Sequence, residues 1–430
     1  MLAHPTLEQL HALARDYQTV ADVGYDGRPS GGCRRNKNVS SGGYLLRSKA
    51  MLQDVAAPSA RRIGIFVEHL GSGGAEKVAV VLANGLADKG FAVDILMWHG
   101  GGTNLRDLSP QVTRMDFSAG RPANVPRVIR SLMQYLRQQK PAVVFVHLEK
   151  PSLLAIIGGL LVGYRRIVPC IHIDLIAYAN THHSILNRLR RWLLNSMVAL
   201  LYRLTPWVIV VSEGAGQTAR RLLSPFGPPV QVVHNGMDLP ALSSKAQQPI
   251  EEAWLRTKTV PVIVACGRLT QQKAQDTLLR AFALLRQTTP ARLVILGEGE
   301  ERDALLSLAQ ELGVAEDVSL RGVVDNPIAW FAKSDLFVLS SRCEGQSLVL
   351  IEALVAGVPI VSTDCPSGPR EVLENGRFGA LVPVDNVAAL SEAMSRVLNK
   401  TPKIDKAALT QHLQKYSVEN MIAGYLAAGV

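Results

Sequence analysis

From Arg62 onward the chain alternates two rhythms. Short runs rich in β-branched residues, RIGIFV (62–67), FAVDILMW (91–98), AVVFVH (142–147), RIVPCI (166–171), WVIVVS (207–212) and VQVVH (230–234), are separated by longer stretches with apolar residues at helical spacing. After a polar, proline-containing interval around 239–258 the pattern repeats: VPVIVAC (260–266), ARLVILG (291–297), VSLRG (318–322), DLFVLS (335–340) and PIVST (359–363) alternate with segments such as DTLLRAFALLRQ (276–287) and VAALSEAMSRVL (387–398). Strands alternating with helices of this length predict βαβ units and a parallel sheet. The repetition predicts an α/β protein of two Rossmann-like, doubly wound domains in tandem, with a ligand crevice outside the carboxyl ends of the strands. Residues 1–60 contain GRPSGGCRRNKNVSSGG, too polar and too rich in Gly and Ser to supply a core, and read as a flexible leader.

One run breaks its own pattern. In CEGQSLVLIEALVAGVPIVS (343–362) every side chain from Leu348 to Ala356 is apolar except Glu352, so a helix here is greasy on all faces and belongs in an interior. No Lys or Arg stands one turn away, and a buried carboxylate without a partner costs roughly 3–5 kcal/mol. Glu344 lies eight positions earlier, before Gly345, Gln346 and Ser347, whose N–H groups open the helix and are suited to a phosphate oxygen. Both carboxylates border the crevice on this reading. A sugar or ribose hydroxyl would satisfy Glu352 without any basic residue; a structural bond to backbone would do so too.

Three other stretches carry candidate chemistry. GSGGAEKVA (71–79) links the first strand to the first helix, and Gly73 and Gly74 let backbone approach an anion there. It is not a dinucleotide fingerprint, since Glu76 replaces the third glycine and Asp94 lies within a strand; a plain tight turn is the alternative. CGRLTQQKAQDTLL (266–279) places Arg268 and Lys273 where a strand ends, two cations suited to a diphosphate or simply two solvated side chains. His172, in VPCIHIDL, ends the RIVPCI strand facing the same crevice, with Asp174 placed either to orient it or to cap the next turn. No GxxxxGK[ST] cradle, DxD pair or GxSxG elbow occurs.

Bulk properties narrow the partners. A formal charge of +10 favours acidic ligands, but with 5% aromatic residues and no basic tract interleaved with them, nucleic acid is not expected. Five cysteines, widely spaced and without a CxxC pair, suggest a reducing compartment and no zinc site. No apolar run reaches the roughly 18 residues of a membrane span, and the N-terminus lacks a signal core, so a cytoplasmic protein is expected. HHSILNRLRRWLLNSMVALLYRL (182–204) is amphipathic, with Arg188, Arg191 and Asn195 on one side of a wheel and Leu189, Leu193, Met197 and Leu200 on another. It predicts either a helix docking on anionic lipid or an ordinary domain helix with its leucines on the sheet.

The order GSGGAE, IHID, VSEG, VVHNGMD, GRLTQQK, GEGEER, GVVDNP, E-x7-E, SGPREVL and FGALVPVDN resembles the retaining glycosyltransferases of family 4, which have the GT-B fold, over about residues 62–428. The resemblance implies an acceptor domain over 61–236, a nucleotide-sugar donor domain over 237–415, and a C-terminal helix, 416–430, packing back on the first. It implies that Arg268 and Lys273 hold the donor diphosphate with the helix start at Gln346, Ser347 and Leu348, and that Glu352 binds ribose hydroxyls. Glu344 would hold the transferred sugar, Gly73 and Gly74 would close over the phosphates, His172 would approach the sugar, and Gly297 and Val323 would lie near the base. No metal or other cofactor is implied. The partners are a UDP- or GDP-sugar and a lipid-linked or saccharide acceptor, met at the cytoplasmic face of an anionic membrane. Gln346 and Ser347 replace the aromatic and small residues that many relatives carry, and Ser367 with Gly368 replaces a glycine pair, which leaves the donor sugar open. An epimerase of the same fold and a non-catalytic carbohydrate-binding protein are the alternatives.

Overall fold

The computed structural model describes residues 61–71, 73–118, 124–180, 185–400 and 403–429, without the side chains of 179–188 and 191. The leader expected over 1–60 lies outside the described residues. Two wholly parallel sheets form the frame, of seven strands in the order β3-β2-β1-β4-β5-β6-β7 and six in the order β10-β9-β8-β11-β12-β13. The first comprises β1 (Arg62–Val67), β2 (Ala92–Met97), β3 (Thr113–Asp116), β4 (Val143–His147), β5 (Ile167–Ile171), β6 (Val208–Val210) and β7 (Val230–Val232). The second comprises β8 (Val262–Cys266), β9 (Arg292–Leu296), β10 (Val318–Gly322), β11 (Leu336–Leu339), β12 (Ile360–Thr363) and β13 (Ala380–Val382). In each sheet the order reverses beside the first strand, which places the switch points at β1/β4 and β8/β11.

The central strands are buried on both faces because helices cover both, which is why they read as continuous apolar runs. β3 is the exception: an edge strand, TRMD, almost wholly exposed and without apolar alternation to announce it. Asp94, inside β2, accepts from Arg62 (2.6 Å) and from the Tyr135 hydroxyl (2.9 Å); it serves the sheet and reaches no ligand position.

Each sheet has its own core. One strand face of the first packs Ile63, Ile65 and Phe145 against the helix Gly74–Asp88. Into the same cluster go Met421, Ile422, Tyr425 and Ala428 of the C-terminal helix Val418–Gly429. The chain passes from the first core to the second at Gly236–Met237 and returns at Tyr416–Val418. The two crossings lie side by side, with Met237 N–H donating to Tyr416 carbonyl at 2.8 Å and a Cβ on Gly236 falling 2.8 Å from Ser417 carbonyl oxygen.

Candidate active site

The helix Leu348–Ala356 buries Leu350, Ile351, Ala353 and Leu354 in the second core and ends at Gly357, whose φ of 74° is the left-handed turn that glycine adopts freely. This fixes the height of Glu352. Its carboxylate is 11% exposed and accepts a 2.8 Å bond from the ammonium of Lys77, in the first turn of the helix Gly74–Asp88 of the other domain. The partner missing from the local sequence therefore exists, 275 residues away.

Glu344 follows β11 and is buried. It accepts from Lys273 Nζ and from the Ser341 hydroxyl, both at 2.6 Å. The Lys273 loop is held against the Glu344 loop at several points: the Ser340 hydroxyl donates to Lys273 carbonyl, Gln272 Nε2 to Cys343 carbonyl, and Arg342 Nη1 to Gln271 carbonyl. Arg342 also bonds Asp276 and Asp385. Arg268, at the end of β8, is exposed, and among the described residues its guanidinium has no partner. Gly297 follows β9 with φ 135°, its N–H bonded to Gly322 carbonyl at 2.7 Å, and the neighbouring Val323 is 73% exposed. A Cβ on Gly297 would meet Gly267 carbonyl oxygen at 2.0 Å, so this approach of β8 and β9 requires glycine.

The two domains meet at these strand ends. Gly74 lies against the helix start, where a Cβ would reach Leu348 Cδ1 at 3.2 Å, and Gly73 lies under the carboxylate of Glu76. Ser347 Oγ is buried there without a partner among the described residues. Gly345 lies on the backbone of His172: a Cβ would come within 1.9 Å of that carbonyl oxygen. Gln346 is spent on the seam, its side chain accepting from Asn235 N–H (2.7 Å) and donating to Asn235 carbonyl (3.2 Å). Glu371 accepts from Glu213 N–H at 3.0 Å, beside His234.

His172 ends β5, half-buried, with Nε2 2.7 Å from Nδ1 of His147 at the end of β4. Burial depresses the pKa of both rings, His172 to about 4, so both are neutral near pH 7. Asp174 does not touch His172. It caps the helix Leu175–Asn180 through Ile176 and Ala177 N–H and accepts from Thr218 and, across the seam, from Ser367. Burial, then the charges of Glu352 and Glu344 respectively, push the thiols of Cys266 and Cys343 up to about 12, which leaves neither a ready nucleophile. Sequence reasoning missed Lys77 and His147; the first was hidden in a helix-opening motif and the second in an apolar strand run.

The helix Ile185–Tyr202 is turned opposite to the wheel's ordinary reading. Asn195, Val198 and Tyr202 are buried, Asn195 donating to Leu175 carbonyl. Leu189, Trp192, Leu193, Met197 and Leu200 all face outward, Trp192 and Leu200 each 63% exposed, with Arg190 exposed beside them. The side chains of Arg188 and Arg191 lie outside the described residues.

Two family profiles match the chain: one described as Glycosyltransferase Family 4 over residues 72–240 and one described as Glycosyl transferases group 1 over 260–400. A relative from Campylobacter jejuni, an N-acetylgalactosamine-N,N'-diacetylbacillosaminyl-diphospho-undecaprenol 4-alpha-N-acetylgalactosaminyltransferase, is 30% identical over 357 residues, covering 81% of this chain and 92% of its own. A GDP-mannose-dependent alpha-(1-6)-phosphatidylinositol monomannoside mannosyltransferase of Mycolicibacterium smegmatis is 33% identical over 205 residues, 44% of this chain and 53% of its own. Among solved structures, Anabaena Alr3699/HepE in complex with UDP and glucose superposes with a TM-score of 0.68 at 19% identity, covering 85% of this chain and 98% of its own. The chain belongs to the family 4 glycosyltransferases, with the GT-B fold. It is a glycosyltransferase.

Proposed function

We propose that the chain transfers a sugar from a UDP- or GDP-sugar to a hydroxyl of a lipid-linked acceptor, with retention and without a metal ion. The observation that carries this is the convergence of Arg268, Lys273, Glu344, Glu352 and a helix N-terminus at the carboxyl ends of β8 and β11. Arg268, Lys273 and the free N–H groups at Ser347 and Leu348 supply positive potential for a diphosphate without a cation. The ribose replaces Lys77 at Glu352, and Glu344 holds sugar hydroxyls. As the sugar–phosphate bond breaks, the acceptor oxygen bonds to the same face of the anomeric carbon. Its proton passes to the departing diphosphate, so no protein nucleophile takes part.

The acceptor class is supported by the outward face of Ile185–Tyr202 and by the Campylobacter relative, whose name specifies an undecaprenol-linked substrate. Five exposed apolar side chains on a helix with no acidic residue suit an anionic leaflet, where each nearby Arg contributes about 1 kcal/mol. Among the described residues no helix is long and apolar enough to cross a membrane, and contact by this face would be peripheral.

One experiment covers the reading. UDP and GDP are screened by thermal shift, a ligand at about 100 times its Kd adding roughly 2.7 kcal/mol. Sugars of the stabilising nucleotide are then incubated with phosphatidylglycerol vesicles carrying undecaprenyl-diphosphate sugars, with acceptor-free vesicles as control. Product only with acceptor is expected; isomerised donor without acceptor means an epimerase, and no turnover means a binding protein. Trp192→Ser with Leu200→Ser should abolish sedimentation with the vesicles while nucleotide binding stays. Unchanged vesicle sedimentation, together with a wild-type oligomer in analytical ultracentrifugation that the variant lacks, would assign the face to self-association.

A further inference from the structure

The two rings at the ends of β4 and β5 form a pair to which no role attaches so far. They are tilted by only 23° with centroids 4.8 Å apart, so the 2.7 Å line between His147 Nδ1 and His172 Nε2 runs along the rings, as a hydrogen bond requires. Both rings are neutral, so each holds one proton and one nitrogen must give to the other.

The remaining nitrogens decide the direction. His147 Nε2 is buried without a partner among the described residues. If His147 accepted at Nδ1, its proton would sit on Nε2 as a buried, unmatched N–H. If it donates from Nδ1, Nε2 is a bare lone pair. Orphaned buried N–H groups are the rarer defect, so the second arrangement is favoured. His172 then accepts at Nε2 and carries its own proton on Nδ1. Among the described residues nothing bonds that nitrogen; the residue is half-buried, and its backbone carbonyl lies against Gly345 at the seam.

We propose that His147 is a positioning residue for the transfer: it fixes the tautomer of His172 so that His172 offers the crevice an uncharged N–H donor, not a lone pair. The use of that donor rests on the reading of His172 as the side chain that approaches the sugar. A neutral donor holds an oxygen of the bound sugar without competing, as a cation would, for the diphosphate. It also removes His172 as general base, consistent with a proton passing to the leaving group.

The test separates the tautomer from its use. Histidine-selective 15N spectra of the ligand-free protein, assigned with His172→Asn, read which nitrogen of His172 carries the proton. Nδ1 is expected in the wild type and in His147→Asn, whose amide N–H occupies the place of Nδ1–H. In His147→Leu, or His147→Gln if the leucine variant does not fold, a mixture of tautomers is expected. Turnover should fall about tenfold in His147→Leu with donor KM changed less than twofold, and recover in His147→Asn. A proton on Nε2 in the wild type, or an unchanged tautomer in His147→Leu, overturns the proposal. A shifted tautomer with unchanged turnover upholds the positioning and overturns the sugar contact.

Discussion

Lys273–Glu344 and Lys77–Glu352 are the same chemistry in two settings. Each is an ammonium on a buried carboxylate, at 2.6 and 2.8 Å, beside one crevice. The first lies within one domain, with Lys273 only 18% exposed and its loop held by Ser340, Gln272 and Arg342. The second joins two domains through a lysine 47% exposed, and separating the domains breaks it. A contact inside a domain survives when the domains part; a contact across the seam does not. The same division separates His147–His172, within the first domain, from Gln346–Asn235 and Ser367–Asp174, across the seam.

The comparison breaks most visibly at Lys273. Lys273→Ala leaves Glu344 buried with one hydroxyl, and we expect a loss of about 3 kcal/mol in urea unfolding together with a turnover loss of roughly 100-fold or more. Arg268→Ala should weaken UDP or GDP binding about tenfold in calorimetry at an unchanged melting temperature, because its guanidinium supports nothing else. Equal destabilisation by both changes would mean that the internal pair is no more structural than a solvated arginine.

Acid sharpens the division next. His172 has a folded pKa of about 4 against an ordinary value near 6.5, so the unfolded chain binds its proton first. Its contribution to stability is complete above pH 6.5 and is lost as the pH falls toward 4, by roughly 1–2 kcal/mol at pH 5. Burial raises the Glu371 carboxyl and acts in the opposite sense. The slope is therefore read as the difference between wild type and His172→Asn in denaturation from pH 7 to 5, and equal slopes would refute the assignment.

The smallest effect belongs to the seam. Lys77→Ala should cost about 1 kcal/mol of stability, less than Lys273→Ala because water reaches Glu352 when the domains part, and tighten nucleoside diphosphate binding by about threefold, since ribose no longer displaces an ammonium. Weaker binding would place Lys77 on the phosphates.

The α/β alternation and the second-domain loops were legible because their signals are local: β-branched runs, glycines at strand ends, a carboxylate in a greasy helix. β3 was not, since an exposed edge strand has no buried face to imprint a period on TRMD. Lys77 was legible as a helix residue but not as the partner of Glu352, because pairing across the chain leaves no spacing to count. The wheel of Ile185–Tyr202 grouped Leu189, Leu193, Met197 and Leu200 on one face but could not say which way it turns; that face goes out and Asn195 goes in, because Asn195 meets Leu175 carbonyl, a tertiary fact. Gln346, read as a donor contact, has both ends of its amide on Asn235.

The helix Val418–Gly429 carries a consequence for biosynthesis. Tyr425 meets Phe145 edge-on with centroids 5.0 Å apart and stacks on the ring of His147. The first sheet thus finishes its core with side chains that leave the ribosome after the whole second domain. Until then Phe145 and the Gly85 side of the helix Gly74–Asp88 lack this cover, and a chaperone that shields nascent apolar surface has a long interval in which to act. Ribosome-associated folding intermediates of this chain should accordingly show a protease-resistant second domain before a resistant first one, the reverse of their order in the message.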